Sequence, residues 1–167
     1  VGTEGLYNDL FALLCLVLDA AILRLLWRHP AQNGRLGPLT YIGATALLFP
    51  VYHEDPARIA GTVQAVALEL ESMGSAAAFD VFILSDTRDE GDAAAEERAY
   101  RALRHRLKDV VAVHYRRRRE NRGRKSGNIK DWVRRFGGGY EHFVVLDGDS
   151  VMSGTTLLRL VLAMQRD

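Results

Sequence analysis

Several short stretches of this chain place carboxylates, hydroxyls or a lysine directly after apolar runs. Residues 144–152 read VVLDGDSVM, so Asp147 and Asp149 share one tight turn with Gly148 between them. Alternate residues on such a turn can face the same ligand. Hard carboxylate oxygens favour Mg²⁺ or Mn²⁺, ions that keep several waters and take further ligands from substrate phosphates. Asp-x-Asp alone also describes a simple turn, or a helix N-cap at Asp149 or Ser150. Its place after a strand-like run, matched by Leu84-Ser85-Asp86 after another, favours the ligand reading. A further run is followed by Tyr52, His53, Glu54 and Asp55, and another by Arg116 and its neighbours. Lys125-Ser126-Gly127-Asn128 opens a helical pattern and offers a lysine and backbone amides to an anion. Acidic strand ends facing a basic segment suit a ligand whose phosphates are bridged by a divalent metal.

The elements that must carry these residues alternate regularly. Residues 45–51 (TALLFPV), 79–84 (FDVFIL), 110–115 (VVAVHY) and 143–146 (FVVL) read as short buried strands. Helical spacing runs through Ile59, Val63, Val66, Leu68 and Leu70 over residues 56–73, and helices are predicted again over 93–107, 126–136 and 155–165. Strands separated by helices imply right-handed crossovers, a mostly parallel sheet and helices on both of its faces. Ligands of such α/β sheets bind at the carboxyl ends of the strands, where the polar residues above lie. There is no internal repeat.

At 167 residues the chain is long enough for one domain with a real core. Its 48% hydrophobic and 26% charged content excludes disordered and collagenous classes. The single Cys15 excludes an intramolecular disulfide and is compatible with a reducing compartment. Net charge is only +1, but basic residues crowd between positions 98 and 135 while acids dominate 54–97. The run RRRRENRGRK (residues 116–125) reads either as a solvated basic loop or as a polyanion-binding patch. It has no interleaved aromatics or nucleic-acid motif, so nucleic acid is not the expected partner.

Residues 10–27 (LFALLCLVLDAAILRLLW) are apolar but carry Asp19 and Arg24, and the run is short against the roughly 20 apolar residues of a span. A membrane-spanning helix and an interfacial helix both remain open. The Pro- and Gly-containing stretch RHPAQNGRLGPLTY over 28–41 reads as a linker, which divides the chain into residues 1–40 and 41–167.

The ordered set PVYHEDP (residues 50–56), LSD (84–86), GRKSGNI (123–129) and VVLDGDSVM (144–152) resembles the family 2 glycosyltransferases. Within them it is most similar to the bacterial glucosyltransferases that build osmoregulated periplasmic glucans. The resemblance covers about residues 44–167. It implies a GT-A type fold, a UDP-glucose donor, a glucan acceptor and a divalent metal. It also implies a bacterial inner-membrane protein whose domain of this kind faces the cytoplasm. By resemblance Pro50, Tyr52 and Glu54 shape the uridine pocket, and Asp86 contacts the uracil. Lys125 lies near the nucleotide, Asp147 near the ribose and phosphates and also toward the metal, and Asp149 on the metal. His53 departs from the family, which usually has Asn at that position. The family's later Thr-Glu-Asp and Gln-x-x-Arg-Trp motifs do not occur in these 167 residues. The expectation is therefore the front part of a longer catalytic domain, with no catalytic base among its site residues and no activity alone. Cellulose- and hyaluronan-type synthases share the resemblance to the nucleotide pocket, so it leaves the sugar open.

Overall fold

The structure is a computed structural model that describes residues 44–148 and 151–165. The predicted apolar helix, the linker, and Asp149 with Ser150 lie outside the described residues. Among those described, no helix is long and apolar enough to cross a membrane.

Four parallel strands form one sheet: β1 (Thr45–Val51), β2 (Phe79–Ser85), β3 (Ala112–Arg117) and β4 (His142–Val145), in the order β3-β2-β1-β4. Strand β1 lies between two others, and all seven of its residues are buried. Its unbroken apolar run TALLFPV reflects burial on both faces. Pro50 is tolerated in this inner strand because β4 pairs with β1 only from Thr45 to Leu48.

Helices α1 (Pro56–Ser72), α2 (Glu90–Arg106), α3 (Arg124–Phe136) and α4 (Gly154–Met164) connect and follow the strands. Alternating side chains divide the core between the two faces of the sheet. Leu47, Phe49, Val81 and Ile83 pack with residues of α1, α2 and α4, among them Ile59, Leu70, Leu103 and Leu157. Ala46, Leu48, Phe82 and Leu84 pack with Trp132 of α3 on the opposite face. Each large apolar side chain buried in this way contributes roughly 1.5 to 3 kcal/mol. The α/β class, the parallel sheet and the helices on both faces are as the sequence predicts.

Several boundaries differ from the sequence prediction by one to three residues, and three of the differences have a clear local reason. Helix α2 starts at Glu90 rather than 93, because Asp89 caps it by accepting the Asp92 N–H at 2.9 Å. Strand β3 runs two residues later than predicted. Val110 and Val111 turn their amides onto the Leu107 carbonyl, while Arg116 and Arg117 pair with Leu84 and Ser85. Helix α4 starts at Gly154 rather than 155, where Ser153 caps it and its hydroxyl accepts the Thr156 N–H at 3.2 Å.

Candidate functional site

The chain runs outward from β1 to β2 and β3, then returns through α3 to place β4 on the other side of β1. Strand order therefore reverses between β1 and β4, and the crevice of an open α/β sheet lies outside the carboxyl ends at that point. Glu54 follows β1 and Asp147 follows β4, so both belong to this switch point. A Cβ on Gly148 would lie 2.8 Å from Ile59 Cδ1 and 3.5 Å from Glu54 Oε1. Glycine at 148 thus lets the Asp147 turn approach the Glu54 carboxylate closely.

Lys125 reaches the same place from the first turn of α3. Its Nζ donates to Asp147 Oδ1 at 2.5 Å, and the Gly148 N–H donates to the same oxygen at 3.0 Å. The hydrogen bond from the lysine holds the Asp147 carboxyl below the usual carboxylate range, against the opposing effect of burial. Asp147 is thus an ionised, half-exposed hard oxygen donor, the kind Mg²⁺ or Mn²⁺ takes. No group of three or more His, Cys, Asp or Glu is arranged to hold a metal among the described residues. Such an ion would draw its further ligands from water and phosphate, which is usual for Mg²⁺.

The loop after β1 has an unusual backbone. His53 has φ of +59°, the left-handed region, which costs a non-glycine residue about 1 to 2 kcal/mol. Its N–H donates to Thr87 Oγ1 at 3.2 Å, and its Nδ1 lies 2.9 Å from Asp92 Oδ2. On either side of it, the exposed Tyr52 sets its ring edge-on to the imidazole at 4.5 Å, and Glu54 accepts the Tyr52 N–H. Pro50 is buried within β1, two positions before Tyr52.

Asp86 is only 4% exposed, at the end of β2. Both of its oxygens are engaged by Arg118, Nε to Oδ1 at 2.6 Å and Nη2 to Oδ2 at 2.9 Å. The basic run is correspondingly less free than its composition suggests. Arg116 pairs with Asp131 and the Asn128 side-chain oxygen, and Arg117 pairs with Glu90. These pairs interleave acids and bases across β3, α2 and α3, so the basic segment does not stand apart from an acidic edge. The paired Arg116, Arg117 and Arg118 line an open groove of about 880 Å³ beside α3 together with Arg119, Lys130 and Arg134.

The structure brings Tyr52, Glu54, Lys125 and Asp147 to the strand ends around one crevice, with Asp86 one strand over and turned to Arg118. Sequence reasoning gave no role to Arg118, Asp92 or Glu96, and marked Thr87 only as a polar residue at the end of the second strand. Glu96 is 1% exposed and accepts hydrogen bonds from Ser85, Thr87 and Tyr115. Its signal was present in α2, whose buried positions Ala93, Glu96, Tyr100 and Leu103 place a carboxylate on the core stripe.

Sheet order, two-faced helix packing and the switch-point crevice define a doubly wound α/β class, and a structural match assigns the chain the GT-A fold of glycosyltransferases. A mannosyltransferase from Pyrobaculum calidifontis, solved in complex with GDP-Man and Mn²⁺, matches it with a TM-score of 0.56. That match has 19% identity and covers 88% of this chain and 40% of the other. By sequence, the chain is a homologue of the bacterial proteins named glucans biosynthesis glucosyltransferase H. It is 40% identical to the one from Xanthomonas euvesicatoria pv. vesicatoria over 98% of this chain and 26% of the relative. It is 54% identical to that of Xylella fastidiosa over 72% of this chain, and 47% identical to that of Vibrio cholerae over 84%; each match covers 19% of the relative. The chain thus spans about a fifth to a quarter of the length of these curated relatives. No protein-family model matches it.

Proposed function

We propose that residues 41–167 are the donor-binding part of a glucosyltransferase that uses UDP-glucose and a divalent metal for inverting transfer of glucose to a growing β-glucan. The observation that carries this reading is the meeting of Glu54, Lys125 and Asp147 at the β1–β4 switch point, in a homologue of glucans biosynthesis glucosyltransferase H. The fold neighbour, which holds a nucleotide sugar with Mn²⁺, supports the same ligand class. The names of the homologues favour glucose over the sugars of a hyaluronan-type enzyme, and favour the glucan-biosynthesis relatives over a cellulose-type enzyme only by sequence likeness, since cellulose is also a polymer of glucose.

Pro50, Tyr52 and Glu54 would shape one wall of the uridine pocket. Asp86 would accept from the uracil imide, either beside Arg118 or in its place. Lys125 would turn from Asp147 to the diphosphate, leaving Asp147 and Asp149 to hold Mg²⁺ or Mn²⁺. Such an ion would supply charge stabilisation for the departing UDP. The strand-end carboxylates are taken up by nucleotide and metal in this scheme, so none is assigned as the base for the acceptor hydroxyl. The proposed setting is the cytoplasmic face of the bacterial inner membrane, with residues 10–27 as a membrane contact.

Titrating the protein calorimetrically with UDP-glucose, with and without Mn²⁺, tests the reading. Metal-dependent binding that Asp147→Asn weakens is expected. A protein that instead bound polyanions without metal, with affinity falling steeply with salt, would overturn it. The internal pairing of Arg116, Arg117 and Arg118 already weighs against that alternative.

A further inference from the structure

Glu96 is a buried carboxylate that the donor scheme leaves unused. It stands on α2 and reaches the ends of two strands. Ser85 Oγ donates to its Oε2 at 2.6 Å, Tyr115 OH to the same oxygen at 3.1 Å, and Thr87 Oγ1 to its Oε1 at 2.5 Å. Burial pushes the Tyr115 phenol up to about 12, so Tyr115 stays protonated and remains a donor.

The direction of these bonds has a structural result. A hydroxyl has one hydrogen and two lone pairs. Ser85 and Thr87 each give that hydrogen to Glu96, which turns their lone pairs toward backbone amides. Ser85 Oγ accepts the Thr87 N–H at 3.1 Å, and Thr87 Oγ1 accepts the His53 N–H at 3.2 Å. The relay ends on the one residue of the β1 loop with left-handed backbone. Strained backbone of this kind persists only where its surroundings hold it, and it concentrates at ligand clamps. His53 lies between Tyr52 and Glu54, so its conformation sets both. Glu96 and His53 also line one cavity of about 300 Å³ together with Glu54 and Asp92.

We propose that Glu96 is a positioning residue for the nucleotide loop. Through Thr87 it holds His53 in the left-handed conformation that presents Tyr52 and Glu54 to the ligand. The proposal rests on the reading of that loop as part of the UDP site. Glu96 touches no ligand itself. A carboxylate is required because it alone accepts from two hydroxyls on two different oxygens. An amide has one accepting oxygen, so one of the hydroxyls would have to reverse.

The test compares Glu96→Gln, Thr87→Val and Tyr115→Phe in the full chain with the native protein. UDP affinity is measured in Mn²⁺, along with thermal unfolding and hydrogen exchange of the His53 amide. Glu96→Gln and Thr87→Val should weaken UDP binding by on the order of tenfold, the effect of one lost hydrogen bond. Both should also release the His53 amide to exchange. Tyr115→Phe removes a bond to the same carboxylate but leaves the Thr87 link. It should therefore lower the unfolding temperature while leaving UDP affinity and His53 exchange as in the native protein. Unchanged His53 exchange in Glu96→Gln would overturn the relay, as would affinity losses in all three variants that simply follow their stability. A native protein that does not bind UDP would overturn the donor reading, whereas the exchange data decide the relay independently.

Discussion

Arg118 grips Asp86 through both carboxylate oxygens, at 2.6 and 2.9 Å, and donates from the same guanidinium to the carbonyls of Arg122 and Arg124 at 3.1 and 3.0 Å. One side chain thereby fastens the end of β2 to the loop that leads into α3. The position of Lys125, the second residue of that helix, depends on this fastening.

Removing one partner of a buried ion pair leaves the other charge uncompensated, at a cost of about 3 to 5 kcal/mol. Arg118 is 11% exposed, so Asp86→Ala is expected near the lower end, about 3 kcal/mol, in urea unfolding. The double variant Asp86→Leu with Arg118→Leu should lose less than the single one, since no charge is then stranded. A loss below about 1 kcal/mol in Asp86→Ala, the range of an exposed pair, would show that the pair has little structural weight.

The Lys125–Asp147 pair gives a pH prediction. Lys125 depresses the Asp147 pKa, so the unfolded chain holds the Asp147 proton more readily than the folded one. The pair's contribution is therefore present above the ordinary Asp pKa of about 3.9 and is lost as pH falls through the lower folded value. With side chains 46% and 55% exposed, that contribution should stay below about 1 kcal/mol. Carboxyl NMR titration should show Asp147 titrating below the ordinary range, and Lys125→Met should return it upward. No difference between the two proteins would remove the lysine as the cause.

Gly127 admits no side chain, because a Cβ there would meet the Arg122 carbonyl oxygen at 2.0 Å. Gly127→Ala should cost about 1 to 3 kcal/mol through displacement of the Arg122 turn, and it should loosen the Arg118 contact to the same carbonyl. Nothing lies within 4 Å of a Cβ on Gly138, so Gly138→Ala should stay within about 0.5 kcal/mol. Thermal unfolding of the two variants checks the contrast, and equal losses would contradict it.

On the proposed reading, Mn²⁺ should bind the protein weakly alone and more tightly with UDP present, since two carboxylates, Asp147 and Asp149, would leave most coordination positions to water and phosphate. Calorimetry in the two conditions measures this. Equal affinities would mean that nucleotide and metal do not share a site.

The strands and their order along the chain were legible because each is a compact apolar run closed by polar residues, as TALLFPV before Tyr52 shows. Boundaries slipped where a polar residue had two possible roles. Asp89 and Ser153 are caps whose hydrogen bonds form only once the helix exists. Arg116 and Arg117 looked like loop because their charge masked their strand pairing. The candidate site was legible only at the ends of strands and at the start of α3. Its supporting partners come from distant positions: Arg118 meets Asp86, Arg117 meets Glu90, and His53 meets both Thr87 and Asp92. Nothing local marks such pairs. Glu96 alone left a trace, as a carboxylate on a core stripe.

The strand order also bears on when the crevice can form during folding. Neighbours β1 and β2 pair across a single α-helix, as do β2 and β3, whereas Thr45 of β1 must find His142 of β4 after everything between them has been laid down. Closing a longer loop costs more chain entropy, and distant parallel pairings form slowly. The β1–β4 seam is thus expected to zip last, so that Glu54 and Asp147 come together only in the final stage of folding. In pulse-labelled hydrogen exchange the Leu146 amide, which donates to the Leu48 carbonyl across that seam at 2.8 Å, should gain protection after those of β2.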